Sequence, residues 1–175
     1  MGNIGYWGTS EWTGEQLREV HGLCEQRNLY RPQVEQPQYS LIARDKFETD
    51  VRPAGLEYGM GMVVWSPLGM GLLTGKYDGG MPPDSRMAHE EWLRGERYTE
   101  EILERVRKFK AYADALGCSR AQLALAWVAA QEGVSSVILG ASRLEQLREN
   151  LGALVITMDA ELNHKLGELF PATTQ

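Results

Sequence analysis

Cysteine is scarce in this chain of 175 residues, which contains only Cys24 and Cys118. Two lone thiols in helical segments are explained more simply by a reducing cytoplasm than by a disulfide, so we expect a cytoplasmic protein. Long apolar runs are missing too: no stretch reaches the roughly 18 residues of a membrane-spanning helix. The first residues also lack the pattern of a secretory signal. These absences argue against a disulfide scaffold, a membrane protein and a secreted one.

Positive charge is in deficit as well. The chain has 18 Lys and Arg against 24 Asp and Glu, a net charge of -6, and no basic block with which to neutralise a nucleic-acid backbone. Its 43% hydrophobic and 24% charged residues are ordinary for a folded globular protein. We therefore expect a single domain spanning the whole chain, large enough to bury a core, with no nucleic-acid partner.

The most informative stretch runs from residue 139 to residue 150. A short apolar strand ends at Gly140, and Ser142 and Glu145 have the spacing of a capping box at the start of a helix. A helix that begins after a strand offers free N–H groups and a positive dipole to an anion, and Arg143 adds a full charge. The alternative is that residues 140–142 form only a tight turn.

Strands and helices alternate four times along the chain. The pattern predicts strands at residues 4–7, 32–36, 62–65 and 137–139, with helices at 13–28, within 39–60, at 102–116, 119–130, 143–154 and 159–170. Thr13 with Gln16, and Ser119 with Gln122, form capping boxes. Alternation of this kind predicts an α/β fold with parallel strands, either a small doubly wound sheet or part of a (β/α)8 barrel.

Polar and aromatic groups follow the ends of these strands, where such folds place their sites. Trp65 is suited to stack on a flat heterocycle, or else to pack in the core. Ser10 and Gln36 offer a donor and an acceptor for a carboxamide, although polar residues commonly end strands.

Further groups suited to a nucleotide flank these ends. Lys76 and Arg86 lie in a glycine-rich loop expected at 68–98 and would clamp phosphate, or remain solvated. Residues 146, 149 and 150 of the last strand's helix would reach an adenine or ribose, unless they form an ordinary polar helix face.

Several motifs together resemble a known family, the aldo-keto reductase superfamily, and within it the branch containing the potassium-channel β subunits. The motifs are Trp7-Gly8-Thr9-Ser10, Glu35-Gln36 before Tyr39, Trp65-Ser66-Pro67-Leu68 with Gly71 and Gly75-Lys76-Tyr77, and Gly140-Ala141-Ser142 followed by Glu145-Gln146 and Glu149-Asn150. The resemblance covers nearly the whole chain in order. It implies four βα units equivalent to the second half of a (β/α)8 TIM barrel.

The resemblance implies an NADP(H) site without a G-x-G-x-x-G motif, which this sequence indeed lacks. Trp65 would stack on the nicotinamide, and Ser10 and Gln36 would hold its carboxamide. The remaining implied contacts are Ser66, Pro67, Leu68, Gly69 and Met70 along the pyrophosphate, Lys76 and Arg86 at phosphates, and Gly140, Ser142, Gln146, Glu149 and Asn150 at the adenosine end. Two positions depart from the channel-subunit pattern, Glu11 in place of a basic residue and Asp84 in place of an aromatic one.

The family's catalytic Asp, Tyr, Lys and His or Asn belong to the first half of its barrel, so no catalytic residue and no metal site are expected here. His21, His89 and His164 suggest packing or solvated roles. Three interpretations stay open: a shortened oxidoreductase whose carbonyl reduction depends on a partner or on self-association, a non-enzymatic NADP(H)-binding or regulatory module, and an inactive gene fragment. The expected partners are a small carbonyl substrate and either a second copy or a complementary half-barrel.

Overall fold

The fold is built on one sheet whose parallel strands pair in the order in which they occur along the chain. The computed structural model describes residues 4–89 and 97–172. Within those ranges one sheet is formed by β1 (Gly8–Ser10), β2 (Val34–Gln36), β3 (Gly61–Val64) and β4 (Val134–Val137). The strand order is β1-β2-β3-β4, and each neighbouring pair is parallel. A doubly wound sheet reverses its strand order at a switch point. This order has no reversal, so the sheet matches a run of adjacent strands of a (β/α)8 barrel.

Helices connect and cover these strands on one side. The α-helices are α1 (Gly14–Gln26), α2 (Arg52–Glu57), α3 (Arg86–His89), α4 (Glu100–Ala115), α5 (Arg120–Ala129), α6 (Leu144–Leu151) and α7 (Ala160–Leu169). A π-helical turn at Phe47–Val51 leads into α2, and 3-10 turns occupy Gly69–Thr74 and Gly152–Val155. The segment expected as one loop at 68–98 therefore contains a 3-10 turn and the short helix α3.

Two of the predicted helix starts are confirmed by their hydrogen bonds. The Thr13 hydroxyl accepts from the backbone N–H of Gln16, whose side chain accepts in return from the Thr13 N–H at 2.9 Å. Ser119 and Gln122 make the same reciprocal pair at the start of α5. These caps depend on residues three positions apart, which is why the sequence predicts them well.

Two predicted strands are displaced in the structure. Residues 4–7 are wrong as a buried strand: Ile4 and Tyr6 are 72% and 83% exposed, and β1 begins at Gly8, opposite the first residue of β2. The last strand was expected at 137–139 but runs from Val134 to Val137, beyond which the Ile138 N–H still donates to the Val64 carbonyl at 2.8 Å. Its two central residues are exposed serines, so its apolar content is low and its start is hidden from a hydrophobicity pattern.

The core lies between the sheet and the helices. Register places Thr9, Glu35 and Met62 side by side on the helix-facing side of the sheet, and Met62 and Val64 are fully buried there. Gly55 of α2 permits this close packing, since a Cβ at that position would lie 1.4 Å from the Met62 Cε. Because side chains alternate along a strand, Ser10 and Gln36 point to the opposite side, where both are exposed.

His21 of α1 belongs to this packing rather than to a site. It is 3% exposed, its ring is stacked on Tyr58 with centroids 4.1 Å apart, and its Nε2 lies 3.4 Å from the Met60 Sδ. Burial lowers the pKa of His21, with a further contribution from Arg31 and opposition from Glu57. The folded protein thus favours the neutral form of this imidazole.

A folded-state pKa below the ordinary value means that the unfolded chain binds more protons at His21. Its contribution to stability is therefore complete above the ordinary pKa of about 6.5 and is lost as pH falls through the lowered value. We expect the free energy of unfolding in urea to fall between pH 7.5 and pH 5. In His21→Phe, which keeps a ring against Tyr58, the fall should be smaller, and identical pH profiles would contradict the assignment.

Candidate functional site at the carboxyl edge of the sheet

Three of the predicted site residues lie on adjacent strands at one edge. Ser10 ends β1 and is the register partner of Gln36 at the end of β2, and the Ser10 hydroxyl donates to the Gln36 backbone carbonyl at 3.0 Å. Trp65 directly follows β3, where its N–H donates to the Pro37 carbonyl at 3.1 Å and its carbonyl accepts from the Tyr39 N–H at 3.2 Å. The structure thus brings together the groups expected to read a carboxamide and to stack on its ring.

The indole of Trp65 is half-buried and lies outside the hydrophobic core. Its Nε1 donates to the Glu11 carboxylate at 2.9 Å. Trp65 thereby differs from Trp127, a core tryptophan that is 1% exposed. Between the two roles considered for Trp65, its surroundings fit a surface for stacking better than a core position.

The turn after β3 holds an unusual backbone. Ser66 and Met70 both have a φ of +56°, in the left-handed region that residues other than glycine rarely adopt. The Ser66 Oγ accepts from the Met70 N–H at 3.3 Å. Residues held in such conformations cluster at functional sites. This turn therefore stands out as a second part of the candidate site.

The other residues of this turn, Pro67, Leu68 and Gly69, attach it to the interior of the protein. Pro67 and Gly69 are buried, and Leu68 packs against the core. Gly69 has a φ of +55°, and a Cβ there would lie 2.4 Å from the Ile42 Cδ1. Of the five residues expected along a pyrophosphate, Ser66, Leu68 and Met70 are half-buried, whereas Pro67 and Gly69 are buried.

Lys76 lies across the same turn. A Cβ on Gly71 would be 2.5 Å from the Lys76 Cε, so the lysine occupies space that only a glycine leaves open. The exposed ammonium is 5.0 Å from the centroid of the Tyr77 ring. Arg86 begins α3, but its side chain lies outside the described part of the chain. The structure thus joins Lys76 to the turn and says nothing of the Arg86 guanidinium.

The start of α6 differs from the expectation. The helix begins at Leu144 rather than Arg143, and the predicted Ser142–Glu145 capping box is wrong. The Gln146 Oε1 instead accepts from the N–H groups of Ser142 and Arg143, at 2.9 and 3.2 Å, and from the Ser142 hydroxyl at 3.2 Å. The cap is displaced by one residue, and two N–H groups expected to face an anion are already paired.

The remaining residues of this segment are divided between surface and interior. Gly140 has open space around its Cα, and Glu149 is exposed. Asn150 is 7% exposed and lines an apolar groove of about 450 Å³ between β4 and residues 151–158. Glu149 and Asn150 therefore do not present equivalent surfaces to a ligand.

A buried carboxyl group, Glu35, braces the edge from the helix side. It is fully buried, and its carboxylate accepts from the Thr9 hydroxyl and from the Trp12 N–H at 3.0 Å. Burial raises the pKa of Glu35, while these hydrogen bonds act to lower it. The sequence places Glu35 at a strand end but gives no sign of its bracing role, because both partners are more than 20 residues away.

Other kinds of site find no support in the described ranges. Among residues 4–89 and 97–172, no group of three His, Cys, Asp or Glu side chains is arranged to hold a metal ion. The helices of those ranges are all too short or too polar to cross a membrane.

Comparison with known proteins agrees with this geometry. The model of the aldo/keto reductase family matches residues 1–169, nearly the whole chain. The chain belongs to the aldo/keto reductase family.

Similar proteins include a probable voltage-gated potassium channel subunit beta of Arabidopsis thaliana and another of Oryza sativa subsp. japonica. Each is 45% identical over 152 residues, covering 85% of this chain and 46% of the relative. A putative voltage-gated potassium channel subunit beta of Schizosaccharomyces pombe is 40% identical over 178 residues, covering 98% of this chain and 52% of the relative. The resemblance to the channel-subunit branch is confirmed, and the chain spans about half the length of these relatives.

Substitutions at Glu35 test its bracing role. Glu35→Ala leaves the Trp12 N–H and the Thr9 hydroxyl without their acceptor, so we expect the free energy of unfolding at pH 7 to fall by about 1–3 kcal/mol. Glu35→Gln retains an acceptor oxygen and buries no charge, so its stability should equal or exceed that of the wild type. Urea denaturation of both variants measures this, and equal losses in the two would contradict the role.

Proposed function

We propose that this chain binds NADP(H) along the carboxyl edge of its sheet, as the nucleotide-binding half of an aldo/keto reductase oxidoreductase. The observation that carries the proposal is the juxtaposition of Ser10, Gln36 and Trp65 on adjacent strands. Membership of the family supports it.

The nicotinamide end is assigned to this edge. The half-buried Trp65 indole offers a flat apolar face, and aromatic rings favour offset stacking on another ring. The exposed Ser10 hydroxyl donates its proton to the Gln36 carbonyl and keeps its oxygen as an acceptor for a carboxamide N–H, while the exposed Gln36 amide has both donor and acceptor groups.

The phosphates are assigned to the turn after β3. Ser66 and Met70 are its two half-buried residues with a left-handed backbone, and the Lys76 ammonium lies across the turn where a phosphate charge would be neutralised. Pro67, Leu68 and Gly69 fix the shape of the turn through their contacts with the protein interior. Arg86 is included on the strength of the family resemblance.

The adenosine end is assigned to the segment after β4. Its members are Gly140, Ser142, Gln146, Glu149 and Asn150. The N–H and the hydroxyl of Ser142 both donate to the Gln146 Oε1. In this proposal a ribose or phosphate group displaces Gln146 from Ser142, so ligand binding exchanges one set of hydrogen bonds for another.

When bound, the cofactor supplies the hydride for carbonyl reduction. The residues assigned above bind and orient it, and among the described residues we assign none as the general acid. Tyr39 follows Gln36 by three positions, but it is fully buried and its hydroxyl donates to the Glu48 carboxylate at 2.7 Å. Burial, and secondly that hydrogen bond, raises the pKa of Tyr39, which makes it a poorer proton donor. Reduction of a small carbonyl substrate therefore depends, in this proposal, on groups from a partner chain or from the other half of the barrel.

Exposed apolar surface supports such a partner. Around the outer side of β4, Leu151, Leu154 and Val155 are 51%, 79% and 86% exposed beside the apolar groove. Exposed sheet edges with apolar surroundings favour association. The relatives are about twice as long as this chain. We propose that a second copy or a complementary half-barrel covers this side.

A second candidate is a regulatory module that binds NADP(H) without turnover. The observation that favours it is the similarity of the chain to probable and putative voltage-gated potassium channel subunits beta. Both candidates share the nucleotide site. The proposal also retains a cytoplasmic location, which the unpaired thiols of Cys24 and Cys118 support.

Titration with NADPH tests the nucleotide site. Binding should quench tryptophan fluorescence, and Trp65→Ala should remove most of the quenching and weaken binding about tenfold, since a stacked aromatic pair contributes about 0.5–1.5 kcal/mol beyond its buried area. Trp7→Phe is the matched control, because Trp7 precedes β1 at the opposite end of that strand. NADH binding as tight as NADPH binding, or quenching that survives Trp65→Ala, would contradict the assignment.

Light scattering after gel filtration tests self-association. A second copy seated on the outer side of β4 predicts a mass of twice the 19.6 kDa chain. Leu154→Glu should return the protein to the monomer, because a charge buried in an interface is unfavourable. Ala111→Glu, on the exposed face of α4, should leave the dimer intact. A folded wild-type monomer at micromolar concentration would exclude the second copy and leave the complementary half-barrel.

A further inference from the structure

Glu11 joins three strand ends through one side chain. Its Oε1 accepts from the Trp65 Nε1 at 2.9 Å and from the Gln38 N–H at 2.6 Å. Its Oε2 accepts from the Lys46 ammonium at 3.0 Å, which also donates to the Glu11 carbonyl at 2.9 Å. A residue that directly follows β1 is thereby tied to the segment after β2 and to the residue that directly follows β3.

The carboxylate is held in its charged form. Burial alone would raise the pKa of Glu11, but hydrogen bonds from Lys46, Trp65 and Gln38 outweigh burial and lower the pKa below its ordinary value. An ionised acceptor makes hydrogen bonds about twice as strong as a neutral one does. The hydrogen bond from the indole to Glu11 is therefore strong, although the Glu11 side chain is about 41% exposed.

The backbone at Glu11 is strained in a way that the side-chain contacts explain. Its φ of +61° lies in the left-handed region, which is unfavourable for a residue with a Cβ. Glycine would relieve this strain but would provide no carboxylate. Strain of this kind persists where the surrounding contacts hold it.

Trp65 needs such a tether. Its backbone is fixed by bonds to Pro37 and Tyr39, so the remaining freedom of the residue is rotation of its side chain. The indole has one N–H group, and Glu11 accepts from it. Removing the carboxylate would release the ring to turn about its χ angles.

We propose that Glu11 is a positioning residue that fixes the plane of the Trp65 indole, and so the surface that this edge offers to a flat heterocycle. The role in ligand binding rests on the proposed nicotinamide site. The tether itself is a property of the free protein, so the two are measured separately.

The first experiment observes the indole N–H of Trp65 by two-dimensional ¹H–¹⁵N NMR without ligand, its signal identified by its loss in Trp65→Phe. In Glu11→Gly, which suits the backbone conformation, we expect the signal to move upfield and its exchange with water to be about tenfold faster, as for loss of one charge-assisted hydrogen bond. Glu11→Gln retains an acceptor oxygen and should restore most of the protection. An unchanged signal in Glu11→Gly overturns the proposal.

The second experiment is a double-mutant cycle on NADPH affinity. Glu11→Gly should weaken binding about tenfold in the wild-type background and have little further effect in Trp65→Phe, which has no N–H to tether. An indole signal that moves with no change in affinity would overturn the ligand part of the proposal. A wild-type protein that binds no NADPH would refute the proposed function, and the NMR signals would still decide whether Glu11 holds the ring.

Discussion

Parallel pairing of β1 to β4 in chain order is the constraint on which the rest of the structure depends. Parallel strands place their carboxyl ends at one edge, and sequential pairing puts the residues after each strand beside those after the next. Ser10, Gln36 and Trp65 meet for this reason alone, although they are separated by 26 and 29 positions along the chain. A different strand order built from the same helices and strands would scatter them.

The two faces of the sheet also separate the hydrophobic core from the candidate site. Met62 and Val64 of β3 are buried against the helices, whereas Ser10 and Gln36 at the ends of β1 and β2 face the other way and are exposed. The period of two along a strand makes this division strict, because a shift by one residue would exchange the faces. The site can therefore be polar at its surface without disturbing the apolar core behind it.

Two carboxyl groups near the same edge, those of Glu35 and Glu11, have pKa values shifted in opposite directions by their surroundings. Glu35 is enclosed with two neutral donors, and burial raises its pKa. Glu11 is partly exposed and receives a cationic donor as well as two neutral ones, which together lower its pKa. The difference lies in solvent access and in the charge of Lys46, since the side chains are the same. One carboxyl group braces the sheet, and we infer that the other holds an aromatic ring.

The amino-acid sequence by itself determined the features that depend on neighbours within a few residues. The capping boxes at Thr13 and Ser119, the strand before Trp65 and the alternation of strands with helices all follow from short spacings and are confirmed. The motifs at the strand ends also indicated the family correctly. Where a local pattern was weak or shared between neighbours, prediction failed: the exposed serines of β4 hid its start, and Gln146 rather than Glu145 caps α6.

Tertiary structure decided what depends on distant residues. Strand order settled the choice between a doubly wound sheet and part of a barrel, and pairing with β2 set the start of β1 at Gly8. The tether between Glu11 and Trp65 joins residues 54 positions apart and has no local signal. A contact of that kind exists only after the sheet has formed, because the sheet is what brings the two ends together.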